Sequence, residues 1–171
     1  MRSMCAITSS VSVMAGSVVD LVHSGVAVAV KAGAPRPDLS SEASVKAAVL
    51  AARSIGYSTG PSGTALLKLF ERWGIAAQLE GRLVQARAGV PVGALVAGGE
   101  VELGFQQRSE LIHLQGITLV GDLPEAIRID TIFSAGICTA ATQSAAARAL
   151  LAFMASPETA AAKRAQGMEP A

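Results

Sequence analysis

The residues best placed to do chemistry in this chain are Thr59, Ser62, Gly63 and Thr64, within the run Ile55-Gly56-Tyr57-Ser58-Thr59-Gly60-Pro61-Ser62-Gly63-Thr64. The run reads as a short buried strand, a turn of Gly, Pro, Ser and Thr, and the start of a helix. Leu66, Phe70 and Trp73 follow at i, i+4 and i+7 on one helical face, with Lys68, Glu71 and Arg72 on the other side. Ser62 or Thr64 is expected to cap this helix, and Gly60 and Gly63 to let a ligand approach the backbone. The first N–H groups of a helix have no acceptor within it and lie at the positive end of its dipole. The turn is therefore a candidate anion site. The same residue types also serve simply to turn and cap a chain. A nucleotide P-loop is excluded, because Thr64-Ala65 stand after Gly63 where that motif needs Lys followed by Ser or Thr.

Two further polar elements have comparable positions. The turn Gly89-Val90-Pro91-Val92-Gly93 leads into a short helix through Ala97 that Gly98-Gly99 ends. The strand Val101–Gln107 finishes in Gln106 and Gln107, with Ser109 and Glu110 just beyond. In open α/β sheets the ligand crevice lies at the carboxyl ends of strands, where all three elements fall. Arg87 and Arg108 read as solvated surface; Phe70, Trp73 and Phe105 read as core.

The elements that must position these residues alternate. Val18–Val22 and Val26–Val30 are β-branched runs, read as two strands, and the loop from Gly33 to Asp38 ends them. A helix from Ser41 to Ala52 carries Val45, Ala48, Val49 and Ala52 on one face. Strand 55–58, helix 63–73, strand 83–86, strands 101–107 and 117–120, and an extended stretch 127–137 follow. Two Ala-rich helices close the chain, at 144–155 and 157–166, the second with Pro157 near its first position and Ser156 as its cap. This alternation predicts an α/β fold with a mainly parallel sheet covered on both faces.

Composition bounds the function. The chain has 171 residues, 51% of them hydrophobic and 4% aromatic, which suits one moderate domain or two small lobes. A net charge of +1 without a Lys/Arg cluster argues against nucleic acid as a partner. Cys5, Cys138, His23 and His113 are isolated from one another, so neither a metal nor a cofactor is expected. There is no Gly-x-Ser-x-Gly, and neither Cys has a His nearby in sequence, so no catalytic residue is assigned. No apolar run reaches the roughly 18 residues a membrane span needs. The apolar part of Met1–Ala15 is broken by Thr8, Ser9, Ser10 and Ser12, and is not read as a signal peptide.

A collinear set of segments resembles one family. The set is Val28–Pro35, Tyr57-Ser58 with Pro61-Ser62-Gly63, Gly98–Gly104, Gly121–Pro124, Ser134-Ala135-Gly136, and Ser156-Pro157-Glu158 with Gly167–Pro170. Together these resemble the molybdate-binding-protein-like solute-binding proteins of bacterial ABC transporters, over about residues 16–171. The resemblance implies a type II periplasmic-binding fold of two α/β lobes joined by crossover strands. It implies a partial first lobe and crossover strand at 1–37, a complete second lobe at 38–120, and a return to the first lobe at 121–171. Family members usually carry two more N-terminal β/α units, so the chain is expected to be N-terminally truncated. A half-built lobe would expose apolar surface and favour a homodimer.

The resemblance further implies capture of a small oxyanion or organic acid for ABC-type import, with a transporter permease as partner and a periplasmic address. By the same resemblance Pro91 and Val92 lie in a turn whose amides face the ligand, and Gln107 takes the place of a Tyr usual in molybdate binders. Gln107 brings an amide donor there, Gln106 either does the same or points into the lobe because strand side chains alternate, and Ser109 is either a ligand donor or a cap. The expected ligand set is thus Thr59, Ser62, Gly63, Thr64, Pro91, Val92, Gln106, Gln107 and Ser109. Two alternatives stand beside this reading: an isomerase of small di- or tricarboxylates on the same scaffold, with Glu110 as the nearest carboxylate, and a truncated fragment that no longer binds.

Overall fold

Val19–Lys31 forms one continuous strand, β1, in the computed structural model, which describes residues 12–171. The two runs read as separate strands are joined through Ser24 and Gly25. Gly25 keeps the strand unbroken where a Cβ would meet the Asp130 carboxylate at 3.0 Å. The residues before Ser12, including most of the segment tested for a leader, lie outside the described part.

The described residues divide into two compact units, one of residues 25–130 and one of residues 131–171 with residues 12–24. Residues 25–37 and 121–130 therefore pack with the first of these.

In the 25–130 unit, α1 (Glu42–Ala51), β2 (Ile55–Tyr57), α2 (Pro61–Arg72), β3 (Leu83–Gln85), α3 (Val92–Gly98), β4 (Leu103–Gln107), α4 (Arg108–Leu111) and β5 (Ile117–Asp122) follow in order. The sheet order is β3-β2-β4-β1-β5. β2 runs parallel to both β3 and β4, whereas β1 is antiparallel to its neighbours β4 and β5. The expectation of a mainly parallel sheet is thereby corrected to a mixed one. The βα rhythm holds along β2, β3, β4 and β5, and β1 is inserted against their direction.

One face of this sheet carries Val26, Val28, Val30, Ile55, Leu103 and Phe105 against Val45 and Val49 of α1 and Leu66, Leu69 and Phe70 of α2. Half-buried Trp73 packs on the same cluster, its ring centroid 5.9 Å from that of Phe70. The other face packs Val92 and Val96 of α3 beside Val101, and Leu111 of α4 against Ala27 and Ala29. Gly56 and Gly104 are direct partners across β2 and β4. A Cβ on Gly104 would stand 2.5 Å from Val96 Cγ2, and one on Gly56 2.9 Å from Val92 Cγ1. This glycine pair lets α3 press onto the sheet and sets the depth at which its first turn lies.

At the opposite surface Ser41 caps α1 by accepting from the Ser44 N–H. Glu42 then accepts from the Trp73 indole N–H at 2.6 Å and from the Arg72 guanidinium at 2.9 Å, tying α1 to the end of α2.

In the second unit, β6 (Asp130–Ala135) and β7 (Glu169–Pro170) pair with β1, and α5 (Ser144–Ala155) and α6 (Ala160–Ala165) follow β6. The Ser17 hydroxyl donates to the Met14 carbonyl at 2.7 Å and accepts from the Ile137 N–H at 3.0 Å. Ser156 does not cap the closing helix with its side chain; its hydroxyl turns back to the Phe153 carbonyl at 2.8 Å. Among its described residues α5 buries none, and Ile132, Leu150 and Phe153 are each more than half exposed. An apolar cavity of about 310 Å³ lies between Leu21, Val22, Phe133, Met154 and Met168.

Candidate functional site

The register of the parallel strands brings three chain segments side by side. Tyr57 pairs with Gln85 on β3 and with Phe105 on β4, so all three strands end at one edge of the 25–130 unit. The turn after β2, the loop after β3 and the Gln106–Glu110 segment leave from that edge.

The turn after β2 differs from its sequence reading in detail. α2 begins at Pro61, not Gly63, with Gly60 as N-cap and no side-chain cap. Pro61 fits the first position because it has no N–H to leave unsatisfied. Ser62 is therefore not the cap: its buried hydroxyl sits 3.0 Å from that of Ser58. Nor is Thr64, which is exposed and donates its N–H to the Gly60 carbonyl at 3.2 Å, closing the first helical turn. The N–H groups of Ser62 and Gly63 precede that first helical bond, so no acceptor within α2 serves them. Gly63 is buried, and a Cβ there would fall 1.9 Å from the Ser58 carbonyl oxygen. Its want of a side chain serves close packing of helix on strand end more than an open approach to the backbone. Thr59 is exposed at the tip of the turn.

The helix after β3 is built differently. Pro91 is its N-cap, without a side-chain cap, and Val92 is fully buried. The Val92 N–H donates to Gln106 Oε1 at 2.7 Å. A backbone N–H can only donate, so the amide orientation is fixed, and Gln106 Nε2 faces and donates to the Glu110 carboxylate. The donor that Val92 was expected to offer a ligand is thus occupied by Gln106. Pro91 shapes the turn only, since it has no N–H.

Gln106 and Gln107 are both about 95% buried but project to opposite faces of the sheet. Gln107 pairs with Val26, and Val26 and Phe105 both belong to the cluster that packs on α2. Gln107 therefore stands on the α2 side, at the end of the sheet where α2 begins. Among the described residues its Oε1 has no hydrogen-bond partner. Ser109 is half-buried in α4. Arg108 is held by Asp122 at 3.0 Å, and Arg87 is exposed.

The structure thus gathers Ser62, Gly63 and Gln107 on one side of the strand ends and places Val92 and Gln106 on the other. Sequence reasoning missed Ser58 as the partner of Ser62, although its place one residue after an apolar strand marks it. Among the described residues no group of three or more His, Cys, Asp or Glu could hold a metal ion. No helix among them is long and apolar enough to cross a membrane.

A mixed α/β sheet with helices starting at its strand ends is an architecture shared with solute-binding proteins. The chain belongs to the bacterial extracellular solute-binding protein family, whose model matches residues 6–169. It is 38% identical over 167 residues to an aconitate isomerase from a Pseudomonas species, covering 96% of this chain and 63% of that protein's length. Its fold is similar to a substrate-binding domain assigned to a molybdenum ABC transporter of Clostridium difficile, with TM-score 0.74 and 16% identity over 94% of this chain and 69% of the other. It is likewise similar to the periplasmic molybdate-binding protein of Azotobacter vinelandii, with TM-score 0.68 and 22% identity over 92% and 69% of the two chains.

Proposed function

We propose that this chain captures a small oxyanion or organic acid at the first turn of α2, as the periplasmic solute-binding component of ABC-type import working with a permease. The observation that carries this reading is the uncapped start of α2: Gly60 has no side chain to satisfy the Ser62 and Gly63 N–H groups. Those two donors point along the helix dipole and suit a negatively charged oxygen. The Ser58 and Ser62 hydroxyls, 3.0 Å apart, lie next to them and can each turn to a ligand. Membership of a solute-binding family and the fold shared with molybdate-binding proteins support the same reading.

The test is a thermal-shift panel of molybdate, tungstate, sulfate, phosphate, citrate and aconitate. A ligand at about a thousand times its dissociation constant adds about 4 kcal/mol, raising the midpoint by roughly 8–16 °C at this size. Gly60→Asp is the matching variant. Its Cβ has open space, and its carboxylate would cap α2 and occupy the anion's place. The variant should be at least as stable as the native chain and should lose the ligand shift. An undiminished shift in Gly60→Asp would place the ligand elsewhere.

A second reading, an isomerase of small tricarboxylates, is favoured by the 38% identity to an aconitate isomerase. Glu110, which accepts from Gln106 Nε2, is the candidate base; because it lies with Gln106 on the other side of the strand ends, this reading needs a substrate that reaches across them from the α2 turn. Exchange of carbon-bound hydrogen of aconitate with deuterated solvent would show turnover, and a pure binder would give none.

A further inference from the structure

We propose that the apolar cavity in the unit of residues 12–24 and 131–171 is a binding site separate from the start of α2. Its ligand is a monocarboxylic acid with an apolar body of roughly eight to ten carbons, seated with its carboxylate against Lys163.

The walls give the ligand's body. Leu21 and Val22 of β1, both about nine-tenths buried, form the inner side of the cavity. Phe133 of β6, Met154 of α5 and Met168, just before β7, complete it. Phe133 is 41% and Met154 37% exposed, so the cavity is reached from solvent on their side. Its volume of about 310 Å³ lies at the low end of ligand pockets. That is about twice the ~150 Å³ that holds a benzene ring, which leaves room for roughly ten carbon atoms. The two unbranched methionines can adjust to the outline of such a chain.

The polar groups of the lining give the ligand's head. The Ser134 hydroxyl donates to Asp20 Oδ1 at 2.6 Å, and the Thr159 hydroxyl is turned to the Met154 and Ser156 carbonyls, each at 2.9 Å. Both hydroxyls are thus taken up within the protein. Lys163 differs from them. It lines the cavity half-buried, and among the described residues its ammonium has neither a hydrogen bond nor an ion pair. The adjacent Arg164, by contrast, is held by Glu169 at 3.0 Å. A lysine lays its methylenes along apolar surface and keeps its ammonium at the rim. An unpaired cation at the rim of an apolar cavity complements an amphipathic anion. A neutral molecule of the same length would lack the charge contact, and an inorganic oxyanion would lack the apolar one.

Octanoate and 1-octanol separate these cases, because they carry the same chain and differ in the head. In the full chain labelled at its methionine methyls, octanoate should shift the signals of Met154 and Met168, assigned with Met154→Leu and Met168→Leu, and leave that of Met14 in place. Residues 25–130 contain no methionine, so binding at the start of α2 alone would move neither signal. Titration calorimetry should find octanoate bound about tenfold more tightly than octanol, the worth of one charge-assisted hydrogen bond. That ratio should shrink with added salt and approach one in Lys163→Met. Unmoved Met154 and Met168 signals, or a shift of Met14 as large as theirs, would overturn the site. Equal affinities in the native chain, or a tenfold ratio that persists in Lys163→Met, would overturn the choice of an acid. The native comparison needs no variant, so it decides the matter even if Lys163→Met fails to fold.

Discussion

The Val92 N–H donates to Gln106 Oε1 at 2.7 Å across a separation of 14 residues, so a strand side chain caps a neighbouring helix. α3 is closed by the protein itself and α2 is not, although both start at the same edge of the sheet. Gln106→Leu would strand a buried N–H and should cost about 1–3 kcal/mol, read as a lower urea midpoint with unchanged slope. Gln106→Glu keeps the acceptor but sets a second carboxylate against Glu110. A Leu variant as stable as the native chain would show that the cap carries no weight.

The helices and the run of strands from β2 to β5 were legible in the chain because each follows from local pattern. The apolar spacing of Leu66, Phe70 and Trp73 fixes α2 whatever surrounds it. The opposed direction of β1 was not legible, since a strand's apolar run looks the same whichever way its neighbours point. Gly25 reads locally as a break, and only its close approach to Asp130 shows why it sits inside a strand. At the site, Ser62, Gly63 and Gln107 could be picked out by type. The pairing of Gln106 with Val92 depends on how deeply α3 sits on Gly56 and Gly104, which no spacing in the sequence states.

Gly63 and Ser58 make the narrowest joint of the proposed site. Because a Cβ on Gly63 would fall 1.9 Å from the Ser58 carbonyl oxygen, backbone rather than a yielding side chain stands in the way. Gly63→Ala should therefore cost about 1–3 kcal/mol and shift the turn enough to abolish ligand stabilisation. Thr64→Ala, at an exposed position one residue on, should stay within about 0.5 kcal/mol of the native chain. Thermal melts with and without ligand report both effects, and normal ligand response in Gly63→Ala would refute the close contact.

The Gly104–Val96 contact predicts a compensating pair. Gly104→Ala overpacks the sheet against Val96 Cγ2 and should cost about 1–3 kcal/mol. Val96→Ala alone opens a small void and also destabilises. The double variant should be less destabilised than the sum of the two, by about 0.5 kcal/mol or more, in a chemical-denaturation cycle. Strict additivity would mean that the methyl groups do not meet.

Leu150 and Phe153 on α5 and Ile132 on β6 leave a large apolar area in the 131–171 unit exposed to water. Such a surface favours self-association at rising concentration. Sedimentation velocity over a hundredfold range of concentration should show the weight-average coefficient climbing. Leu150→Glu with Phe153→Glu should flatten that climb at little cost in stability, since both side chains are exposed in the single chain. A concentration-independent coefficient in the native protein would count against a homodimer.

The Glu42 carboxylate supplies a pH signature that can be read optically. The hydrogen bond from the Trp73 indole, followed by that from Arg72, holds its pKa below the ordinary glutamate value. A carboxyl with a depressed pKa in the folded state stabilises fully above its unfolded pKa, about 4.3. That contribution is lost as the pH falls through the lower folded value. Trp73 is the single tryptophan of the chain, so tryptophan emission reports the surroundings of this one indole. Its emission should titrate with a midpoint below the usual glutamate range, and the transition should be missing in Glu42→Gln. The stability gap between native and Glu42→Gln proteins should hold steady from neutral pH down to about 5 and close below about 4.3. A gap that is independent of pH throughout that range would show that the indole bond does not depend on the charge of Glu42.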